Sequence, residues 1–261
     1  MSPLIERLDR LRESWRFAVG TLTAIPVRPP RSDAGGATGP AMLLAPLAVA
    51  PLGVLVAAVC WAGHELGLAP VGTAAAAITA LALGSRAFHL DGLADTADGL
   101  TASYDRERSL AVMRTGNTGP AGAAALVLTL YIQVGALTSL VQQAGGPVLA
   151  GVLVCVSRGA LLVTCQRSVP SARSDGLGAT YAGAISPLVA VVGWAVLIAV
   201  TSAGFVLTGE KWWRGPLCVV AALVVVAWLV RRAVRRLGGV TGDVYGAAIE
   251  MSLAALLLAA S

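Results

Sequence analysis

Long apolar runs alternate with short polar stretches along the whole chain. Most of the runs approach the roughly 20 residues that a bilayer asks of a helix. In order, they predict spans over 41–62, 71–88, 121–141, 148–164, 186–207, 217–230 and 246–260. The expected fold is all-α: a polytopic integral membrane protein of about seven transmembrane helices, preceded by an amphipathic N-terminal segment. In that segment Leu4, Leu8, Leu11 and Trp15 recur at helical spacing, while Arg7, Arg10, Arg12 and Arg16 occupy the other faces. Such a helix either lies on the membrane surface or forms the first turns of a longer helix. Residues 18–25 are too few to span alone. Pro26, Pro29 and Pro30, with Arg28, Arg31, Asp33 and a glycine cluster, predict an extended loop. Pro46 and Pro51 fall inside the first span and predict a kink, which helices in lipid tolerate. The runs recur without a soluble interval, so 1–261 reads as a single transmembrane domain.

Composition agrees with this reading. Hydrophobic residues make up 56% of the chain and charged residues only 13%, half the charged share of an ordinary soluble domain. Mean hydropathy is +0.77. The net charge of +5 comes almost entirely from arginine, Lys211 being the single lysine. These arginines lie mostly in connecting loops, where membrane topology and anionic ligands explain them better than nucleic acid does. Cys60, Cys155, Cys165 and Cys218 sit in or beside apolar segments with no CxxC spacing, so they read as small buried hydrophobes. The N-terminal charges leave no compact apolar core of a cleaved signal peptide.

The distribution of arginine orients the chain. With the N-terminus in the cytoplasm, Arg106, Arg108, Arg114, Arg167, Arg173 and the cluster Arg231, Arg232, Arg235 and Arg236 all face the cytoplasm. The loops around 64–70 and 142–147 carry no lysine or arginine. Only 208–215, with Lys211 and Arg214, departs from the pattern, and its Trp212 and Trp213 suit an interfacial belt. Polar patches able to do chemistry then gather on one face.

The densest patch is FHLDGLADTADG, Phe88 to Gly99. Asp91, Asp95 and Asp98 stand at i, i+4 and i+7, one face of a helix. Three like charges there repel and are poorly solvated near lipid, and a hard divalent cation taking carboxylate oxygens would offset the repulsion. The plainer reading is an acidic solvated loop. His89 adjoins this patch. Further along are Arg108 and Arg114 in RERSLAVMRTGNTG, then Arg158 within an apolar span, then Arg173 before a GLG. Asp243 and Glu250 stand seven residues apart at the start of the last helix. Ionisable groups inside a span, Arg158 and Glu250, are functional by default or pair as a structural bridge. Carboxylates and arginines on one membrane face suit phosphoryl or phosphodiester transfer.

In order and spacing, FHLDGLADTADG, RERSLAVMRTGNTGPAG, VSRG, ARSDGLG and GGVTGDVYGAAIE resemble the cobalamin synthase family, whose members are adenosylcobinamide-GDP ribazoletransferases. The resemblance spans nearly the whole chain. It implies a magnesium-dependent transferase of cobalamin biosynthesis, multi-pass in the bacterial inner membrane with its active site on the cytoplasmic side. Its substrates would be adenosylcobinamide-GDP and α-ribazole or its 5′-phosphate, with GMP released. By this resemblance Asp91, Asp95 and Asp98 hold Mg²⁺, and Asp243 joins them in catalysis. Arg108, Arg114, Arg158, Arg173, Glu250 and His89 bind substrate. The implied partners are these small molecules and the lipid bilayer, not nucleic acid, and a homo-oligomer is allowed. One departure is that the family usually reads MRDSRxG where Met113 to Gly119 reads MRTGNTG, so Thr115 and Asn117 replace an aspartate and an arginine. The alternatives are a CDP-alcohol phosphotransferase-like enzyme, against which the DGLAD of Asp91 to Asp95 lacks the expected arginine, and a membrane transporter.

Overall fold

The structure, a computed structural model, describes residues 3–28 and 38–261. The loop expected around Pro29, Pro30, Arg31 and Asp33 lies outside the described residues, while Pro26 and Arg28 are in coil. The described chain is helical, with only two isolated parallel bridges, Gln166 to Ile185 and Ser171 to Val240. Helix α1 (Pro3–Leu22) runs unbroken through the basic segment into the apolar stretch behind it, so the amphipathic residues are the first turns of a longer helix. Leu8, Leu11 and Trp15 remain exposed on it, and Ala18, Val19 and Leu22 are buried.

The expected first span is not one helix. Pro46 and Pro51 each open a new one, giving α2 (Thr38–Leu43), α3 (Ala45–Ala48) and α4 (Ala50–Glu65). Proline lacks the N–H that would continue the ladder but fits a first turn. The second expected span stops early. Helix α5 (Pro70–Gly84) ends, and α6 (Phe88–Ala102) leaves at 90° to it. Arg86 and Ala87, at φ 57° and 55°, make this corner. Left-handed backbone costs a residue with a Cβ roughly 1 kcal/mol, and the corner is held by Arg86, which donates to the Gly20 carbonyl at 2.7 Å and lies over the Phe88 ring.

After the short α7 (Arg106–Val112) come α8 (Pro120–Val141), α9 (Gly146–Ser157), a 3₁₀ turn (Arg158–Ala160) and α10 (Leu161–Thr164). They are followed by α11 (Gly176–Tyr181), α12 (Pro187–Leu207), α13 (Arg214–Leu237) and α14 (Gly242–Ala260). Among the described residues, five segments are long and apolar enough to cross a membrane: α8, Gly146–Thr164, α12, α13 and α14. The number becomes six if α5 and α6 form one broken span. By length and composition the expected count of about seven is not reached. It counted α4, of 16 residues, and α5, of 15, as full crossings.

Two of the spans are inner helices. Gly146–Thr164 and α14 have 78% and 72% of their apolar windows buried, against 28–39% for α8, α12 and α13. The outer helices thus turn apolar faces to lipid, where burial gives no hydrophobic gain and close packing must hold helices together. Glycines do this. A Cβ on Gly53 would meet the Gly151 carbonyl oxygen at 2.6 Å, and one on Gly151 would meet that of Gly53 at 2.6 Å, so α4 and α9 touch backbone to backbone. The same device joins α6 to α14. A Cβ on Gly92 would lie 2.7 Å from the Asp243 carbonyl oxygen, and one on Gly246 would lie 3.0 Å from His89 Cα. This contact sets the aspartate helix against the head of the last helix.

Candidate active site

Because Gly92 rests on Asp243, its neighbour Asp91 and the Asp243 side chain come to one cavity of about 630 Å³. Asp91, Arg114, Arg173, Asp175 and Asp243 line its polar end, and His89 lines it further in. Thr241 caps α14, accepting from Val244 N–H, and its hydroxyl lies 3.1 Å from Asp243 Oδ2. Arg173 Nη1 stands 4.0 Å from the same oxygen, while Nη2 donates to the Leu110 carbonyl at 2.7 Å. Arg106, which the sequence reading did not single out, donates to the Ala172 carbonyl at 2.9 Å. The Arg173 loop is also tied down by backbone bonds, Ala172 N–H to Val240 and Val240 N–H to Pro170. The polar end is therefore built on held segments. Arg114 pairs with the exposed Asp175 at 3.0 Å across its rim.

The three aspartates of α6 are not equivalent. Asp98 is buried, and its two carboxylate oxygens accept from Gly119 N–H at 2.7 Å and Gly122 N–H at 2.8 Å. Gly119 is the N-cap of α8 and has no side chain to offer, so Asp98 caps α8 from another helix. Asp91 is exposed to the cavity, and Asp95, one turn further along α6, is half-buried and outside the cavity lining. Burial, then the charges of Asp91, Asp243 and Asp98, push the Asp95 carboxyl up to about 6 against the pull of Arg173. The ionised form is thus disfavoured in the folded protein. Its stability is fullest below the unfolded value near 4 and falls as pH rises through about 6. Water reaches this carboxyl and screens much of the effect. Without divalent cation, Asp95→Asn is expected to raise stability at pH 7.5 by on the order of 1 kcal/mol. The gain should vanish near pH 4, as read from thermal midpoints in EDTA.

His89, Arg158 and Glu250 come together away from the polar end. Glu250 Oε2 accepts from Gln133 Nε2 at 2.8 Å, and its Oε1 lies 3.8 Å from His89 Nδ1. Arg158, fully buried in the 3₁₀ turn, donates to the Val154 carbonyl and the Ser157 hydroxyl, with Glu250 as the opposing charge. Of this group only His89 lines the cavity. Gln133, the amide that holds Glu250, carried no signal in the sequence beyond being a polar residue in an apolar run. Arg108 is exposed on α7, outside the cavity lining, and its backbone N–H is capped by Asp105. Thr115 and Asn117 are also exposed and do not line the cavity, Thr115 bonding the Val112 carbonyl at the end of α7.

Among the described residues, no three His, Cys, Asp or Glu side chains approach closely enough to form a metal cage by themselves. The donor set fits a cation of another kind. Mg²⁺ is usually held by one or two carboxylates, with substrate phosphates and water completing its shell. Asp91, which lines the cavity, and Asp95, one turn along α6 and outside its lining, are the two carboxylates that could hold such a cation.

Known proteins resemble this chain over nearly its whole length. A curated protein from a Nocardioides species, named adenosylcobinamide-GDP ribazoletransferase, is 52% identical over 249 residues, covering 95% of this chain and 98% of its own. One of the same name from Frankia casuarinae is 36% identical, covering 93% and 92%. Another from Pseudomonas fluorescens is 35% identical, covering 93% and 96%. No solved structure matches. Residues 14–261 match the family described as cobalamin-5-phosphate synthase, and with relatives this similar over nearly their whole length, the chain belongs to that family.

Proposed function

We propose that this protein is a magnesium-dependent adenosylcobinamide-GDP ribazoletransferase. It joins adenosylcobinamide-GDP to α-ribazole or its 5′-phosphate and releases GMP. The observation that carries this reading is the cavity in which Asp91 and Asp243 face Arg173 and Arg114, opposite charges arranged as a diphosphate and a cation together require. A hydroxyl oxygen of the acceptor bonds to the cobinamide-side phosphorus, and the phosphorus–oxygen bond to GMP breaks. The hydroxyl proton passes to Asp243, steadied by Thr241. Arg173 and Arg114 face charge on the non-bridging oxygens. Asp91 and Asp95 would hold the cation, which when bound would supply positive charge to offset that of the diphosphate and its leaving group. Asp98 positions the others through α8, and Arg158 and Glu250 support the cavity without touching substrate. The polar end lies with Arg106, Arg114, Arg173 and Arg236, which supports a cytoplasmic active site in the bacterial inner membrane.

The test is product formation. Purified protein in lipid with adenosylcobinamide-GDP and α-ribazole is expected to release GMP and form cobalamin with Mg²⁺ and not without it. Folded protein that makes neither under any divalent cation would refute the reading.

A further inference from the structure

The cavity has two chemically different ends, and the functional reading above uses only one of them. Along α14, Asp243, Gly246 and Ile249 all line it at intervals of three residues. At 1.5 Å per residue, Ile249 lies about 9 Å further along the helix than Asp243. With Ile249, the side chains of Leu22, Met42 and Leu161 line the cavity, each almost wholly shielded from the surface, as are Tyr181 and Tyr245 beside them in the lining. Between the two ends stands His89. It is buried, its Nδ1 lies 3.8 Å from Glu250 Oε1, among the described residues neither ring nitrogen has a hydrogen-bond partner, and it faces the same cavity. Buried polar atoms left unpaired are costly and call for a partner. In a binding cavity, that partner is a ligand group.

Resting on the proposed reaction, we infer that the apolar end seats the base of the acceptor nucleoside, with His89 hydrogen-bonded to its ribose and the reacting hydroxyl directed to Asp91 and Asp243. Size and chemistry select this substrate. A cavity of about 630 Å³ lies in the range that encloses a drug-sized molecule. A nucleoside fits that range, whereas a corrinoid carrying adenosyl and GDP is several times larger and can present only its diphosphate at the polar end. The base of α-ribazole, a dimethylated benzimidazole, is flat and apolar, as this wall requires, and its sugar is polar, as His89 requires. The guanine and corrin ends of the donor are polar-edged or too broad. Leu22, Met42, Leu161 and Ile249 are thereby specificity-determining residues. They read the base, and shape-matched apolar walls discriminate by size to the extent of 10- to 200-fold per added or missing methylene.

The experiment narrows the apolar end and asks which substrate notices. Leu161→Phe is expected to raise KM for α-ribazole at least tenfold and to leave KM for adenosylcobinamide-GDP within twofold. The riboside of unmethylated benzimidazole should lose less than α-ribazole does. Ile249→Ala, which enlarges the site, should favour a bulkier tricyclic base over the wild type. Titration calorimetry of α-ribazole with the protein in detergent, no corrinoid present, separates the subsite from the reaction. Binding weakened tenfold by Leu161→Phe supports the subsite even if turnover fails, and turnover failing alone would count against the reaction assignment only. A rise in KM for adenosylcobinamide-GDP with that for α-ribazole unchanged would overturn the inference. So would wild-type protein that turns over but shows no difference between bases in either variant. If Leu161→Phe does not yield a monodisperse protein, the Ile249→Ala preference decides alone.

Discussion

Asp91→Asn is expected to lower kcat for cobalamin formation by 10²- to 10³-fold while leaving the thermal midpoint within a few degrees of wild type. The side chain opens on the cavity and makes no hydrogen bond among the described residues, so the amide costs the fold little. It does remove one of two negative charges available to a cation. A group that stabilises developing charge in a site sheltered from water is worth about 3–4 kcal/mol of barrier. The apparent Mg²⁺ requirement should rise in parallel, since affinity for a hard cation follows the number of charged oxygens. Initial rates against Mg²⁺ at saturating substrates measure both. Unchanged kcat with an unchanged Mg²⁺ profile would remove Asp91 from the site.

Asp98→Ala is expected to act by a different route. Asp98 is buried, and alanine would strand the Gly119 and Gly122 N–H groups at the head of α8 without an acceptor. Hydrogen bonds to a charged group contribute about 1.5–3 kcal/mol each, and an orphaned buried donor adds its own cost. The loss should be on the order of 3–5 kcal/mol, a large share of the 5–15 kcal/mol typical of folded domains. For a chain of this size that is about a 10 °C fall in thermal midpoint. Asp98→Asn keeps one acceptor oxygen and should lose less than half as much. Fluorescence-detected size exclusion after heating reads the midpoints. A variant as stable as wild type but inactive would instead make Asp98 a direct participant in the reaction.

This pair of predictions shows what was legible in the sequence. Asp91, Asp95 and Asp98 share a spacing and a residue type, so the sequence reading grouped all three as ligands. What distinguishes them is a helix that begins about 20 residues later with a glycine that cannot cap itself, and no local pattern reveals which distant carboxylate will cap it. The apolar pattern located the spans from α8 onward closely, because a long uninterrupted helix needs only its own composition. It missed the breaks at 41–88, where prolines and the corner at Arg86 and Ala87 divide apolar runs into helices of 16 residues or fewer. The partnership of Asp91 with Asp243 depends on Gly92 and Gly246 meeting across two helices far apart in sequence. The motifs suggested that these aspartates belong to one site, but their contact is tertiary. Arg108 and Arg114, equal as basic residues of one segment, part company for the same reason: only Arg114 reaches the cavity rim.

Arg158 and Glu250 carry a consequence for how the protein is made. Both are buried within segments that are long and apolar enough to cross a membrane, Arg158 at the 3₁₀ turn of Gly146–Thr164 and Glu250 in α14, and a charge near the centre of a span adds about 2.5–3.5 kcal/mol to the insertion of that segment alone. Glu250 lies on a helix made after those that carry its amide partner Gln133 and its opposing charge Arg158. Insertion of α14 is therefore expected to be favoured where the earlier helices already offer those partners.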